Sequence, residues 1–133
     1  MRLGDAASQS LTVTDEVIRQ FGDLVGDHNP LHCDDGFAAT TRFGARIAPG
    51  MLSAGLISAV LGTQLPGPGT IYLSQFLQFT AAVFPGDVVT ATARVAKLRE
   101  DKPIAVLETV CVNQKGEVVL KGEAVVIVPQ SRM

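Results

Sequence analysis

Residues 51–61, Met51-Leu52-Ser53-Ala54-Gly55-Leu56-Ile57-Ser58-Ala59-Val60-Leu61, carry no charge, and this run constrains the fold more than any other. Its larger apolar residues recur at helical spacing among small ones, which predicts a helix. With no polar face to offer water, that helix is expected to be buried on most sides, and it is too short to cross a bilayer. Pro49-Gly50 stands before it, and Pro66-Gly67-Pro68-Gly69 is a hard stop after it. The rest of the chain has to supply the cover.

Strand signals dominate from Thr70 onward, over residues 71–80, 87–99, 104–113 and 117–128. They are separated by Phe84-Pro85-Gly86, Asp101-Lys102-Pro103 and Lys115-Gly116, and the last two breaks have the length of hairpin loops. Successive hairpins imply an antiparallel sheet, and long apolar strands need one face covered. The pattern therefore predicts an α+β architecture, a curled antiparallel sheet wrapped around one buried helix. Upstream, residues 6–13 read as a short strand. Thr14 is suited to cap a helix whose first turn holds Asp15 and Glu16 and whose apolar stripe is Val17, Ile18, Phe21, Leu24 and Val25. Phe37, Ala38 and Ala39 suggest a further turn or two of helix.

Length and composition place all this in one domain over residues 1–133: 47% of residues are hydrophobic and 18% charged, enough to bury a core without staples. A net charge of -2, scattered basic residues, no Trp and a single Tyr argue against a nucleic-acid partner. Cys33 and Cys111 make no disulfide framework, and no Cys/His array offers a set of zinc ligands. The N-terminus lacks the apolar stretch and cleavage site of a secretory signal, so a cytoplasmic protein with no membrane segment is expected.

The chemistry starts at Gly26-Asp27-His28-Asn29-Pro30-Leu31-His32. Pro30 disfavours the helical region for Asn29 and removes a backbone donor, so the segment reads as a tight loop. Such a loop can aim the carboxylate of Asp27 and the imidazole of His32 at one small volume, as holding a reacting water requires. An ordinary capped surface turn would use the same residues. His28 and His32 lie four apart, a metal-binding spacing only on a helix, which Pro30 obstructs. Cys33 reads as a half-buried structural thiol.

The Gly26-Asp27-x-Asn29-Pro30-Leu31-His32 segment followed by Ala38 resembles the signature of the MaoC-like, (R)-specific enoyl-CoA hydratases. The resemblance continues through Phe37-Ala38-Ala39-Thr40-Thr41, Pro49-Gly50-Met51-Leu52, Leu65-Pro66-Gly67 and Arg99-Glu100-Asp101-Lys102-Pro103-Ile104-Ala105. It covers residues 14–129 and is nearest to the short members that supply monomers for polyhydroxyalkanoate synthesis. It implies the hot-dog fold, a homodimer, and reversible syn hydration of a trans-2-enoyl-CoA, with no cofactor beyond the coenzyme A that belongs to the substrate.

The resemblance also implies roles. Asp27 and His32 match the catalytic pair, with Asp27 as base and His32 orienting the water. Asn29 would shape the turn. Gly50 matches the position whose backbone N–H polarises the thioester carbonyl, a use favoured at a helix N-terminus. Many relatives carry His before that glycine where this chain has Pro49, which leaves the donor intact and bears on fine positioning. Ser58 aligns near the site and either supports Asp27 or merely packs. Leu56, Leu61 and Val126 are expected along the acyl tunnel, where Leu61 suggests short chains. Arg94, Lys97, Arg99 and Lys102 read as a solvated strand face more readily than as contacts to coenzyme A phosphates. Two other activities fit the fold: an acyl-CoA thioesterase, and a non-catalytic acyl-CoA-binding subunit.

Overall fold

The computed structural model describes residues 1–130. The elements run β1 (Ala6–Thr12), α1 (Asp15–Val25), α2 (Pro30–Cys33), α3 (Asp35–Ala39), α4 (Gly50–Thr63), β2 (Ile71–Phe79), β3 (Val88–Leu98), β4 (Ile104–Val112) and β5 (Val118–Ile127). The strands form one sheet in the order β1-β3-β4-β5-β2, every pairing antiparallel. The breaks at Asp101-Lys102-Pro103 and Lys115-Gly116 are hairpins, as read from the sequence. β2 skips both neighbours in the chain and closes the sheet against β5.

One face of this sheet alternates inward with Val89, Ala91, Ala93 and Val95 on β3 and Ala105, Leu107 and Cys111 on β4, all buried. Against it α4 buries Leu56, Ile57, Val60 and Leu61. The many alanines on the sheet let a helix rich in small residues approach closely and pack densely. The central helix wrapped by an antiparallel sheet is thus the hot-dog arrangement.

Burial of α4 is one-sided, however. Met51, Gly55, Ser58 and Gly62 form an exposed stripe. The stripe of α1 is likewise mostly open, with Leu24 at 83% exposure and Val25 at 58%, while only Ile18 and Gly22 are buried. Helical periodicity identified both apolar faces correctly but could not show that part of each borders a groove instead of the core. At the sheet edge β2 exposes Ile71, Tyr72, Leu73, Phe76 and Phe79. Among the described residues no helix is long and apolar enough to cross a membrane.

Candidate active site

Two helix caps deliver the carboxylate and the imidazole to one place. Thr14 opens α1 by accepting from the Val17 N–H at 3.1 Å. The helix ends at Gly26, in the left-handed region at φ 77°, and Gly22 O then accepts from the Asp27 N–H at 2.9 Å. The fold-back is so close that a Cβ on Gly22 would meet Asp27 O at 2.8 Å. Asp27 is therefore placed by the helix end itself. Its Oδ1 accepts from the Asn29 N–H at 3.2 Å, while Asn29 Oδ1 accepts from the Leu31 N–H at 3.0 Å.

Here the sequence expectation of a loop through His32 needs correction. Asn29 is extended, as the following proline dictates (φ -55°, ψ 124°), but it serves as the N-cap of α2, and Pro30 starts that one-turn helix. Proline is as much at home in the first turn of a helix as in a loop. His32 sits in the last turn of α2 with 12% of its side chain exposed. Cys33, expected half-buried, is exposed, its thiol 3.5 Å from Asn29 O. His28 is not joined to His32; its Nδ1 is 3.9 Å from Asp23 Oδ1.

The two key side chains face each other, with His32 Nε2 3.9 Å from Asp27 Oδ2. His32 Nδ1 is 2.7 Å from Ile47 O. A carbonyl can only accept, so Nδ1 carries the proton, and in the neutral ring Nε2 presents a lone pair toward Asp27. The distance exceeds a hydrogen bond but allows a water at normal hydrogen-bond length from both atoms. Such a water can donate one hydrogen to each and keep its lone pairs free for an electrophile.

Around this pair lie three cavities. A groove of about 670 Å³ runs between Phe21 and Val25 of α1, the Gly55 and Ser58 stripe of α4, and β2, with Asp27 in its wall. A second, of about 450 Å³, is lined by His32, Gly50, Phe79 and Arg42. A smaller one of about 280 Å³ lies behind the pair and touches both Asp27 and His32, with Pro49 and Arg46. The catalytic candidates thus stand where three spaces adjoin. Gly50 is the first residue of α4, and its N–H is one of the donors a helix leaves unpaired. The ring of Phe79 lies so near that a Cβ on Gly50 would come within 2.6 Å of it.

The structure puts His32 and Gly50 on the second cavity, Asp27 and His32 on the third, and Asp27 and Ser58 on the groove, while Asn29 lines none of the three and acts on the turn through its backbone and cap contacts. It does not bring Leu56 to the groove: beside Gly55 and two residues from Ser58, it faces the core. Leu61 and Val126 are fully buried and line no described cavity. Both belong to the hydrophobic core, Leu61 three residues past groove-lining Ser58 and Val126 in register with groove-lining Tyr72. Sequence reading missed Ile47, whose contribution is a backbone carbonyl and leaves no side-chain signal, and Phe79, which reads as one more strand aromatic.

Residues 5–116 match the family model for the MaoC like domain. The chain is 50% identical to an (R)-specific enoyl-CoA hydratase of Rhodospirillum rubrum, over 95% of this chain and 87% of that protein. It is 49% identical to an (R)-specific enoyl-CoA hydratase of Aeromonas caviae, over 97% of this chain and 96% of the relative. Its fold superposes on the solved structure of an (R)-hydratase from A. caviae involved in PHA biosynthesis with a TM-score of 0.93, at 49% identity, covering 97% of this chain and 98% of the other. Matched by the family model over residues 5–116 and about half identical to these relatives along most of its length, the chain belongs to the MaoC like domain family.

Proposed function

We propose that this protein is an (R)-specific enoyl-CoA hydratase. It adds water across the C2–C3 double bond of a trans-2-enoyl-CoA to give the (R)-3-hydroxyacyl-CoA, and runs the dehydration in reverse. The observation that carries this reading is the 3.9 Å between Asp27 Oδ2 and His32 Nε2, a space shaped for one water. Half-identity to hydratases named for this reaction supports it.

Water is a poor nucleophile, and holding it beside C3 between two acceptors supplies both orientation and a path for its proton. Asp27 takes that proton as the oxygen bonds to C3. His32, with Nδ1 tied to Ile47 O, accepts a hydrogen bond from the water's second hydrogen, which stays on the product hydroxyl; the proton Asp27 has taken passes to C2, directly or relayed through His32 Nε2, so Asp27 ends ionised again. Negative charge passing to the thioester oxygen meets the Gly50 N–H and the positive end of α4. Delivery of OH and H from the one face that holds both residues makes the addition syn. Asn29 keeps Asp27 and the turn in place, and Ser58 lines the acyl groove.

The acyl chain enters the groove along α4, the core residues Leu61 and Val126 limit how deep it can reach and so favour short chains, and the pantetheine arm leaves past Gly50. No cofactor is needed, since coenzyme A arrives with the substrate. The active unit is a homodimer of one-domain subunits in the cytoplasm, feeding polyhydroxyalkanoate synthesis or fatty acid metabolism. Support for the dimer comes from β2, an edge strand with five large apolar side chains exposed, which a second copy would cover. Light scattering should give twice the chain mass, and Phe76→Glu should halve it; a wild-type monomer overturns this part.

The deciding experiment follows crotonyl-CoA absorbance with purified protein and checks product chirality. Loss of the enoyl band with formation of (R)-3-hydroxybutyryl-CoA is expected. Free CoA released while the band persists would make the protein a thioesterase. Binding of short and long enoyl-CoAs without turnover would make it a carrier.

A further inference from the structure

We infer that Arg46 is a positioning residue for the catalytic histidine, acting through the segment that follows it in the chain. Its Nε donates to Asp35 Oδ1 at 2.6 Å and its Nη1 to Asp15 Oδ1 at 2.8 Å. Asp15 begins α1, the helix whose far end sets Asp27, and Asp35 begins α3, directly after the α2 turn that carries His32. One guanidinium therefore ties together the helices on both sides of the catalytic loop. This inference rests on the hydratase reading for its kinetic consequence, but its structural content does not.

What makes the clamp more than a surface ion pair is its neighbour. Ile47 supplies the carbonyl that fixes the tautomer of His32, and two residues beyond it Pro49 leads into Gly50. Residues 46–50 thus form a strut that presents the histidine's acceptor and the oxyanion donor in succession. On the β side the strut is held firmly, with Ala48 N–H donating to Val83 O at 2.7 Å. On the helix side its backbone bond is long, Ile47 N–H to Leu31 O at 3.3 Å. Arg46 makes good that weaker side. Its side chain is only 21% exposed although its partners, at 68% and 85%, lie in solvent.

Exposed carboxylates limit what the two pairs add to stability, because water and salt screen them. Position is more sensitive, since a shift of about 1 Å in a catalytic group can lower the rate by roughly a hundredfold. Lysine cannot replace the arginine fully, as a single ammonium lacks the planar fork that reaches two carboxylates.

The test is a ring-nitrogen NMR spectrum of protein labelled with 15N-histidine, which has only two signals sets to assign because the chain contains 2 His. Wild-type His32 should show a protonated Nδ1 and a bare Nε2. Arg46→Met should show mixed tautomers, with kcat down roughly tenfold to a hundredfold and KM changed far less; Arg46→Lys should fall between. The double variant Asp15→Ala, Asp35→Ala removes the same clamp from the solvent side and serves if Arg46→Met does not fold. A single unchanged tautomer together with wild-type kcat in a folded variant overturns the inference. Because the tautomer is read without substrate, failure of the clamp is distinguishable from failure of the hydratase reading.

Discussion

Asp27 Oδ2 and His32 Nε2 are 3.9 Å apart, too far to share a proton directly and near enough to share a water. Asp27→Asn keeps the shape of the side chain but replaces an acceptor with an amide that cannot take a proton, and His32→Gln removes the ring acceptor. Each should lower kcat by roughly two to four orders of magnitude while leaving KM within a few-fold, as deletion of an acid-base group predicts. The effects should be far from additive, because either loss already releases the shared water. Steady-state kinetics of both single variants and the double variant check this, and additive losses would mean the two residues act on separate steps.

Gly50 has a steric reason to lack a side chain. Its Cβ would lie 2.6 Å from Phe79 Cε1 and 2.7 Å from Cδ1. Phe79 is 52% exposed, so its ring can swing aside and Gly50→Ala should fold with little change in Tm. Activity should nonetheless fall roughly a hundredfold, the scale of losing one oxyanion donor, because the methyl group covers the approach to the N–H. Adding Phe79→Leu gives the methyl group room. If that double variant recovers full activity, ring displacement was the cause and the methyl group does not itself cover the N–H.

Much of this site could be read before the structure, for local reasons. The charge-free run announces the central helix, and Pro-Gly or Lys-Gly breaks mark the strands to within a residue or two. The Asp27 to His32 spacing is a short-range feature that survives any tertiary arrangement. Sheet order is different in kind: nothing local says that β2 pairs with β5 and leaves an apolar edge. Pro30 reads as a loop signal, and that reading fails because proline suits the first turn of a helix equally well and the Asn29 cap starts one there. Phe21 and Val25 carry the same helical pattern whether they meet core or groove. The Ile47 carbonyl has no sequence identity at all, and Arg46 is one cation among many until its two carboxylates, 31 and 11 residues away, are brought to it.

Leu61 separates stability from chain-length choice. It is 1% exposed in the core, so Leu61→Ala should cost about 2–5 kcal/mol and Leu61→Val less. If the acyl chain stops above it, both variants should shift kcat/KM toward longer enoyl-CoAs, Ala more than Val, with crotonyl-CoA turnover kept. Thermal unfolding and a series of enoyl chain lengths measure the two effects independently. An unchanged length profile in a variant of lowered Tm would return Leu61 to a purely structural role.

The two thiols should behave oppositely. Cys33 is exposed beside the catalytic turn, whereas Cys111 is 0% exposed and burial pushes its pKa up from 9.0 to about 12. A thiol kept neutral is a poor nucleophile. An aromatic disulfide reagent at pH 8 should therefore titrate one thiol in the native protein and two in denaturant, and Cys33→Ser should abolish the native reaction. The same burial has a stability consequence of definite sign. Above pH 9.0 the unfolded chain loses the Cys111 proton while the folded chain keeps it until about 12. The unfolded state then binds fewer protons, so this contribution is fully present below pH 9.0 and is lost as pH rises across that window. Cys111→Ala should flatten the alkaline limb of the stability curve relative to wild type. An identical alkaline slope in the two proteins would place the titration elsewhere.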